Sequence, residues 1–274
     1  MRFLIQNAKT PRKTTQYLKK VEKVKILNVE IDNLTREELL QQLSEGLFIT
    51  PNVDHLIKLQ KDREFYEIYK KADWVICDSR ILAWGLKFLG TPIKEVIPGS
   101  SFFPVYCDYH KGNESVKIFL LGAAEGVATK AMQRINKRIG RNIIVGSHSP
   151  SFGFEIKEVE CEEIVHHINQ TDATVLVIGV GAPKQEKWVF SYKERLPRIK
   201  LFMSLGATID FEAGTLKRAP EIFQKLSLEW FYRMCMEPKR LAKRYLVDDL
   251  AFFYHLLRQK LGYKNPFEKY ELIK

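Results

Sequence analysis

The 274-residue chain lacks most of the markers that assign a class quickly. Its four cysteines, Cys77, Cys107, Cys161 and Cys235, are scattered, with no CxxC pair and no Cys/His cluster at zinc spacing. That argues against a disulfide scaffold or a zinc module, and reduced thiols in a cytosolic protein are expected. No stretch approaches the ~20 apolar residues that span a bilayer. The N-terminal "MRFLIQNAKTPRKTTQYLKK" is basic but has no apolar centre like that of a signal peptide. The expectation is a soluble protein, or one peripheral to a membrane. A GxGxxG fingerprint and a Walker-type P-loop are both missing, which disfavours a nucleotide-linked oxidoreductase and a P-loop enzyme. There is no internal repeat and no low-complexity linker.

What is present is a folded composition, 45% apolar and 12% aromatic, with a formal charge of +11. Such a charge points to an anionic partner, and nucleic acid, lipid headgroups and phosphorylated small molecules all qualify. Its distribution is more informative. Residues 217–274 hold thirteen Lys/Arg against seven Asp/Glu, and residues 1–25 hold eight against one. The stretch between is close to neutral. Three parts follow: a basic lead (1–23), a core (24–214) and a basic helical appendage (215–274).

Within the core, apolar strand-like runs alternate with helical ones. "VKILNVEIDNL" (24–34) alternates as one strand does, and Thr35 with Glu38 has capping-box spacing for a helix over 36–46. Then come a strand at 46–52, a charged helix over 54–71 and the strand "WVICDS" (74–79). "VKIFLLGA", "NIIVGSH", "ATVLVIGVG" and "KLFMSLGATIDF" read as four further strands, with helices between them. Val/Ile/Leu-rich strands alternating with helices predict an α/β domain: a Rossmann-like, mostly parallel sheet with helices on both faces.

Ligands of parallel α/β sheets bind outside the carboxyl ends of the strands. The residues predicted there are Thr50 and Asn52, Asp78 and Ser79, Gly122 to Gly126, Gly179 to Gln185, and Gly206 to Asp210. Asp78, at a strand tip, suits a general base, with helix capping as the plainer role. Asp54 is a rival base, but as an early helix residue it reads more naturally as a cap. Gly122 and Gly181 open turns whose N–H groups would receive phosphate, or are simply tight turns. Gln185 offers an uncharged amide for sugar hydroxyls. Asp210 would bind a sugar or ribose hydroxyl, or pair with an arginine. The histidines have no ligand spacing and read as structural or exposed. In the appendage, Arg240 and Arg244 share a helix face. Arg233 joins them only if Pro238 does not break the helix. Guanidinium forks suit diphosphate oxygens, although a solvated basic face is the commoner meaning of such a run.

"TPNVDHL", "ADWVICDS", "GVGAPKQEKW", "SLGATIDFEAGTLKRAP" and "LEWFYRMCMEPKRLAKRY" occur in that order. Together they resemble the WecG/TagA/CpsF glycosyltransferases of bacterial cell-envelope polysaccharide synthesis, over about residues 24–250. The resemblance implies inverting transfer of a sugar, such as N-acetylmannosamine, from a UDP-sugar donor to a polyprenyl-diphosphate-linked sugar acceptor. It implies no metal and no cofactor, and a site at the inner face of the cytoplasmic membrane. By motif, Asp78 would be the base and Thr50, Asn52 and Gln185 would contact substrate. Arg233, Arg240 and Arg244 of a closing appendage would meet phosphate. Three residues depart from the pattern: Ser79 in place of glycine, Val96 in place of arginine and Ser101 in place of aspartate. The donor or acceptor sugar would then differ from the best-known case. The rival readings are a basic nucleic-acid-binding protein, against which the bulky apolar residues of the basic segment speak, and a non-catalytic family member. A homo-oligomer is compatible with the sequence.

Overall fold

A computed structural model describes residues 21–217, 219–220, 223, 232, 235–236 and 250–263. The chain enters through an antiparallel pair, β1 (Lys23–Ile26) and β2 (Val29–Asp32), with Ile26 opposite Val29. One strand over 24–34 was the expectation; the structure turns back at Leu27–Asn28. In sequence the turn leaves only a one-residue slip of the alternation, where Ile26 and Leu27 adjoin before it resumes at Val29 and Ile31. Distant partners hold the turn. Leu27, at φ 52, donates its N–H to Gln259 Oε1 at 2.7 Å. Asn28 donates to the Leu59 carbonyl and accepts from Gln60 Nε2.

Helix α1 (Arg36–Gln42) carries the predicted capping box, in which the Thr35 hydroxyl accepts from Glu38 N–H and the Glu38 carboxylate accepts from Thr35 N–H. Such a cap stabilises by about 1 kcal/mol. After β3 (Gly46–Ile49), the single helix expected over 54–71 is two, α2 (Val53–Lys58) and α3 (Arg63–Lys70). The break comes from Asp62, whose carboxylate accepts from Phe65 N–H and starts α3 afresh. Next are β4 (Trp74–Val75), α4 (Arg80–Leu89), α5 (Gly99–Tyr109), β5 (Ile118–Gly122), α6 (Val127–Ile139) and β6 (Ile144–His148). Then follow α7 (Glu158–Asn169), β7 (Val175–Gly179), α8 (Lys184–Tyr192) and β8 (Leu201–Ser204). The "ATIDF" part of the last expected strand is helix α9 (Thr208–Ala213). Gly206, at φ 53, turns the chain, and the Thr208 hydroxyl donates to the Leu205 carbonyl, so β-branched residues that suggest a strand begin a helix. Of the appendage, helix α10 (Leu250–Lys260) is described, with Phe252 and Leu256 buried. The basic lead up to residue 20, Arg233, Pro238, Arg240 and Arg244 lie outside the described residues.

The main sheet has six strands, all parallel, in the order β4-β3-β8-β7-β5-β6. One cluster of buried apolar side chains joins it to α2, α3, α4, α7, α8, α10 and the β1–β2 pair. A second joins its other face to α1, α5, α6 and α9. This is the doubly wound α/β architecture that the alternation predicts. At the edge, the Asp32 carboxylate accepts from Val75 N–H at 2.8 Å, so the β1–β2 pair caps strand β4.

The register fixes which residues meet at the strand ends. Val75, Ile49, Ser204, Ile178 and Leu121 lie side by side across five strands. One step further, Gly122 pairs with Gly179, and a Cβ on Gly122 would sit 2.5 Å from the Gly179 carbonyl oxygen. Gly122 also has φ 137. Its glycine is therefore required by close strand packing. Gly126, at φ 74, has open space where a Cβ would go. Gly122→Ala is expected to cost about 2–4 kcal/mol of stability, against about 1 for Gly126→Ala, as urea unfolding would measure. Equal costs would remove the packing explanation.

Candidate active site

The carboxyl ends of β4, β3, β8 and β7, four neighbours in the sheet, open into one cleft of about 590 Å³. Its walls include Thr50 and Asn52 after β3, Asp78 after β4, Gly179–Ala182 and Gln185 at and after the end of β7, and Ser204–Thr208 and Asp210 at and after the end of β8. Six predicted residues thus converge: Thr50, Asn52, Asp78, Gly181, Gln185 and Asp210. Gly122 lies on β5, one strand beyond, and is not part of the lining. There the Ser149 hydroxyl bonds the Gly122 and Ala124 carbonyls and ties the turn to the next loop.

Asn52 lines the cleft and also caps α2, its side-chain oxygen accepting from His55 N–H. Asp54 does not cap; its carboxylate receives Lys58 Nζ at 2.8 Å, and the same ammonium donates to the Ala182 carbonyl at 2.9 Å. Lys58 thereby ties α2 to the loop before α8. Asp78 is held by Gly99, the first residue of α5, whose N–H donates to Asp78 Oδ1 at 3.1 Å. Gly99 sits close to its neighbours: a Cβ would lie 2.9 Å from Leu205 Cδ2 and 3.1 Å from Thr50 Oγ1, so a larger residue would have to displace those side-chain ends. The absence of that carbon brings the α5 start against the tips of β3 and β8, where its N–H orients the carboxylate. Capping of α4 falls to Ser79, which accepts from Ile81 N–H. Ser79 thus has a structural use. Val96 and Ser101 lie outside the lining, and the Ser101 hydroxyl donates to the Pro98 carbonyl.

Beneath the cleft is a polar layer that the strand-end census misses. His55 Nδ1 and Tyr69 Oη share a 2.6 Å hydrogen bond, and both residues are buried. Burial first, then the carboxylates of Glu186, Asp78 and Asp54, hold the Tyr69 phenol well above its usual proton affinity. Gln185 donates from Nε2 to Glu186 Oε1 at 2.7 Å and accepts at Oε1 from Gly181 N–H at 3.1 Å. Glu186 is fully buried, and burial pushes its carboxyl up to about 7 against the pull of that bond and of Lys58. Its Oε2 has no hydrogen-bond partner, and neither does the buried Ser204 hydroxyl in the cleft wall. Of these, Ser204 was the most findable from sequence, as a hydroxyl inside an apolar strand. His55, Lys58 and Glu186 matter only once helix faces are known.

Among the described residues, Lys58 is the one lysine or arginine of the lining, set against Asp54, Asp78 and Asp210. No group of three or more His, Cys, Asp or Glu among the described residues is arranged to hold a metal ion. An acidic cleft of this kind suits hydroxyl-rich, proton-releasing chemistry; an anionic substrate would need cations from elsewhere in the chain.

Residues 24–266 match the sequence model of the glycosyl transferase WecG/TagA/CpsF family. The chain belongs to that family. Among similar proteins are those of Staphylococcus aureus strains MRSA252, MW2 and NCTC 8325, each named N-acetylglucosaminyldiphosphoundecaprenol N-acetyl-beta-D-mannosaminyltransferase. Each is 27% identical over 252 residues, which cover 89% of this chain and 95% of the relative. In this WecG/TagA/CpsF member, Glu186 offers a direct check on the polar layer. With its carboxyl raised from 4.5 to about 7, the folded state binds the proton more tightly than the unfolded chain between those values. Its stabilising contribution is present at low pH and lost as pH rises through about 7, an effect of roughly 3 kcal/mol. The stability of Glu186→Gln relative to wild type should therefore rise by about that amount from pH 4 to pH 8. Urea midpoints at the two pH values test this, and a pH-independent difference would contradict it.

Proposed function

We propose that this chain is an inverting, metal-independent glycosyltransferase that moves N-acetylmannosamine or a related sugar from a UDP-sugar to a polyprenyl-diphosphate-linked sugar. The observation that carries the reading is the convergence of Thr50, Asn52, Asp78, Gln185 and Asp210 on one cleft, in a chain of a glycosyl transferase family whose relatives are named for such a transfer.

In this reading the acceptor hydroxyl approaches Asp78, which takes its proton as the oxygen attacks the anomeric carbon. The Gly99 N–H keeps that carboxylate in place. Single displacement inverts the carbon, and the electron pair of the broken anomeric C–O bond leaves with UDP, adding a third negative charge to the two that its diphosphate already carries. Gln185 and Asp210 offer hydrogen bonds to sugar or ribose hydroxyls. Cations for the leaving group would come from Arg233, Arg240 and Arg244, since the described lining holds only Lys58. A lipid-linked acceptor implies work at the inner membrane face. No helix among the described residues is long and apolar enough to cross a membrane. The exposed Trp84, in ring contact with the exposed Phe88 and Phe253, and Lys260 over the Phe88 ring give a surface suited to lying on one.

The test is transfer by the full chain from a panel of UDP-sugars to vesicle-borne polyprenyl-diphosphate N-acetylglucosamine, with and without EDTA. Expected are a disaccharide lipid of inverted anomeric configuration, activity that survives EDTA, and protein that sediments with the vesicles. Asp78→Asn should lower kcat by about 10²- to 10⁴-fold while UDP-sugar binding persists. Loss of activity in EDTA would overturn the metal-free mechanism, protein left in the supernatant the membrane contact, and full turnover by Asp78→Asn the role of that residue.

A further inference from the structure

A glutamine amide has two orientations of nearly equal shape, and only one presents the right atoms to a ligand. Around Gln185 both ends of the amide are decided. The Gly181 N–H can only donate, and it meets Oε1 at 3.1 Å. The Glu186 carboxylate accepts, and it receives Nε2 at 2.7 Å. A flipped amide would set donor against donor and acceptor against acceptor. After these two bonds one N–H and one lone pair remain for whatever occupies the cleft.

Glu186 itself does not line the cleft. It is fully buried, with one oxygen unpartnered, in a position where an apolar or amide side chain of similar volume would cost the fold less. The charges around it do not cancel its own. From α2 come Lys58, already engaged with Asp54 and the Ala182 carbonyl, and His55, bonded to Tyr69. From α3 comes the Tyr69 phenol, which senses Glu186, Asp78 and Asp54 together. On its own helix Lys184 pairs with Glu155, and Lys187 pairs with Asp62 and Glu64. The buried carboxylate is thus maintained against its cost, and its bonded neighbour is a residue of the cleft wall.

We infer that Glu186 is a positioning residue for the transfer reaction, fixing the Gln185 amide so that its remaining N–H and lone pair face the sugar substrate; this rests on the glycosyl-transfer reading above. Glu186 acts through Gln185 and not on the substrate.

The test is a double-mutant cycle in kcat/KM for the full chain, with UDP-N-acetylmannosamine and polyprenyl-diphosphate N-acetylglucosamine. Glu186→Leu removes the acceptor oxygen, and Glu186→Gln keeps one while removing the charge. Glu186→Leu is expected to lower kcat/KM about tenfold or more in the wild-type background and less than about twofold in Gln185→Ala. Glu186→Gln should lose less, and should flatten any fall in kcat/KM between pH 8 and pH 6. Its melting temperature at pH 8 should be no lower than that of the wild type. Equal losses in both backgrounds would mean a general structural role and overturn the inference, as would wild-type kinetics in Glu186→Leu. If Glu186→Leu does not fold, the same cycle with Glu186→Gln decides: a loss confined to the background that retains Gln185 supports the inference, and no loss or an equal one overturns it. An inactive wild-type enzyme would overturn the glycosyl-transfer reading and this inference together, whereas an active wild type with additive variants sinks the inference alone.

Discussion

Parallel pairing of β4, β3, β8 and β7 is the constraint on which the site depends. Because Val75, Ile49, Ser204 and Ile178 are in register, the four strands end at one level, and the residues just beyond them face a common space. The register is held by apolar packing on both faces, and a slip of one residue would turn every side chain to the opposite face. Close backbone approaches lock the ends further. A Cβ on Gly179 would lie 2.3 Å from the Gly206 carbonyl oxygen, so the β7 and β8 loops touch where both border the cleft.

The same register gives the cleft its polar underside. Ser204 stands in a row otherwise occupied by Val, Ile and Leu, on the face that also receives α2, α3 and α8. Those helices bring His55, Lys58, Tyr69, Gln185 and Glu186 to one region. Buried polar groups of this kind are costly to the fold when incompletely bonded, and Glu186 Oε2 and Ser204 Oγ are both unpartnered. Stability lost at a catalytic cleft in exchange for a fixed arrangement of bonding atoms is a familiar trade in enzymes.

How much of this was readable from sequence follows from the range of the forces involved. The α1 capping box is local, three residues apart, and was found. The alternation of buried strands with helices gave the α/β class, and the strand-end rule picks out Thr50, Asn52, Asp78, Gly181, Gln185 and Asp210 as neighbours, which the structure brings to the lining of one cleft. The misplaced elements depend on distant partners or a single turn residue. The Leu27–Asn28 turn is held by Gln259, Leu59 and Gln60, far along the chain. For Gly122 the sequence leaves a phosphate-receiving turn and a plain tight turn open, because a glycine at a turn and a glycine forced by a neighbouring strand look alike in sequence. Glu186 was in plain view beside Gln185, but its burial, and so its chemistry, depends on which face of α8 meets the sheet.

The central claim is that the ends of β4, β3, β8 and β7 form one site for a nucleotide-linked sugar. Amide hydrogen exchange of the full chain, with and without UDP-N-acetylmannosamine, tests it most directly. The account predicts slowed exchange confined to the segments around residues 50–55, 78–80, 99–101, 179–186 and 204–210, together with the arginine-bearing C-terminal segment. Protection centred on the Gly122–Val127 turn, or none in the four strand-end loops at saturating ligand, would contradict it.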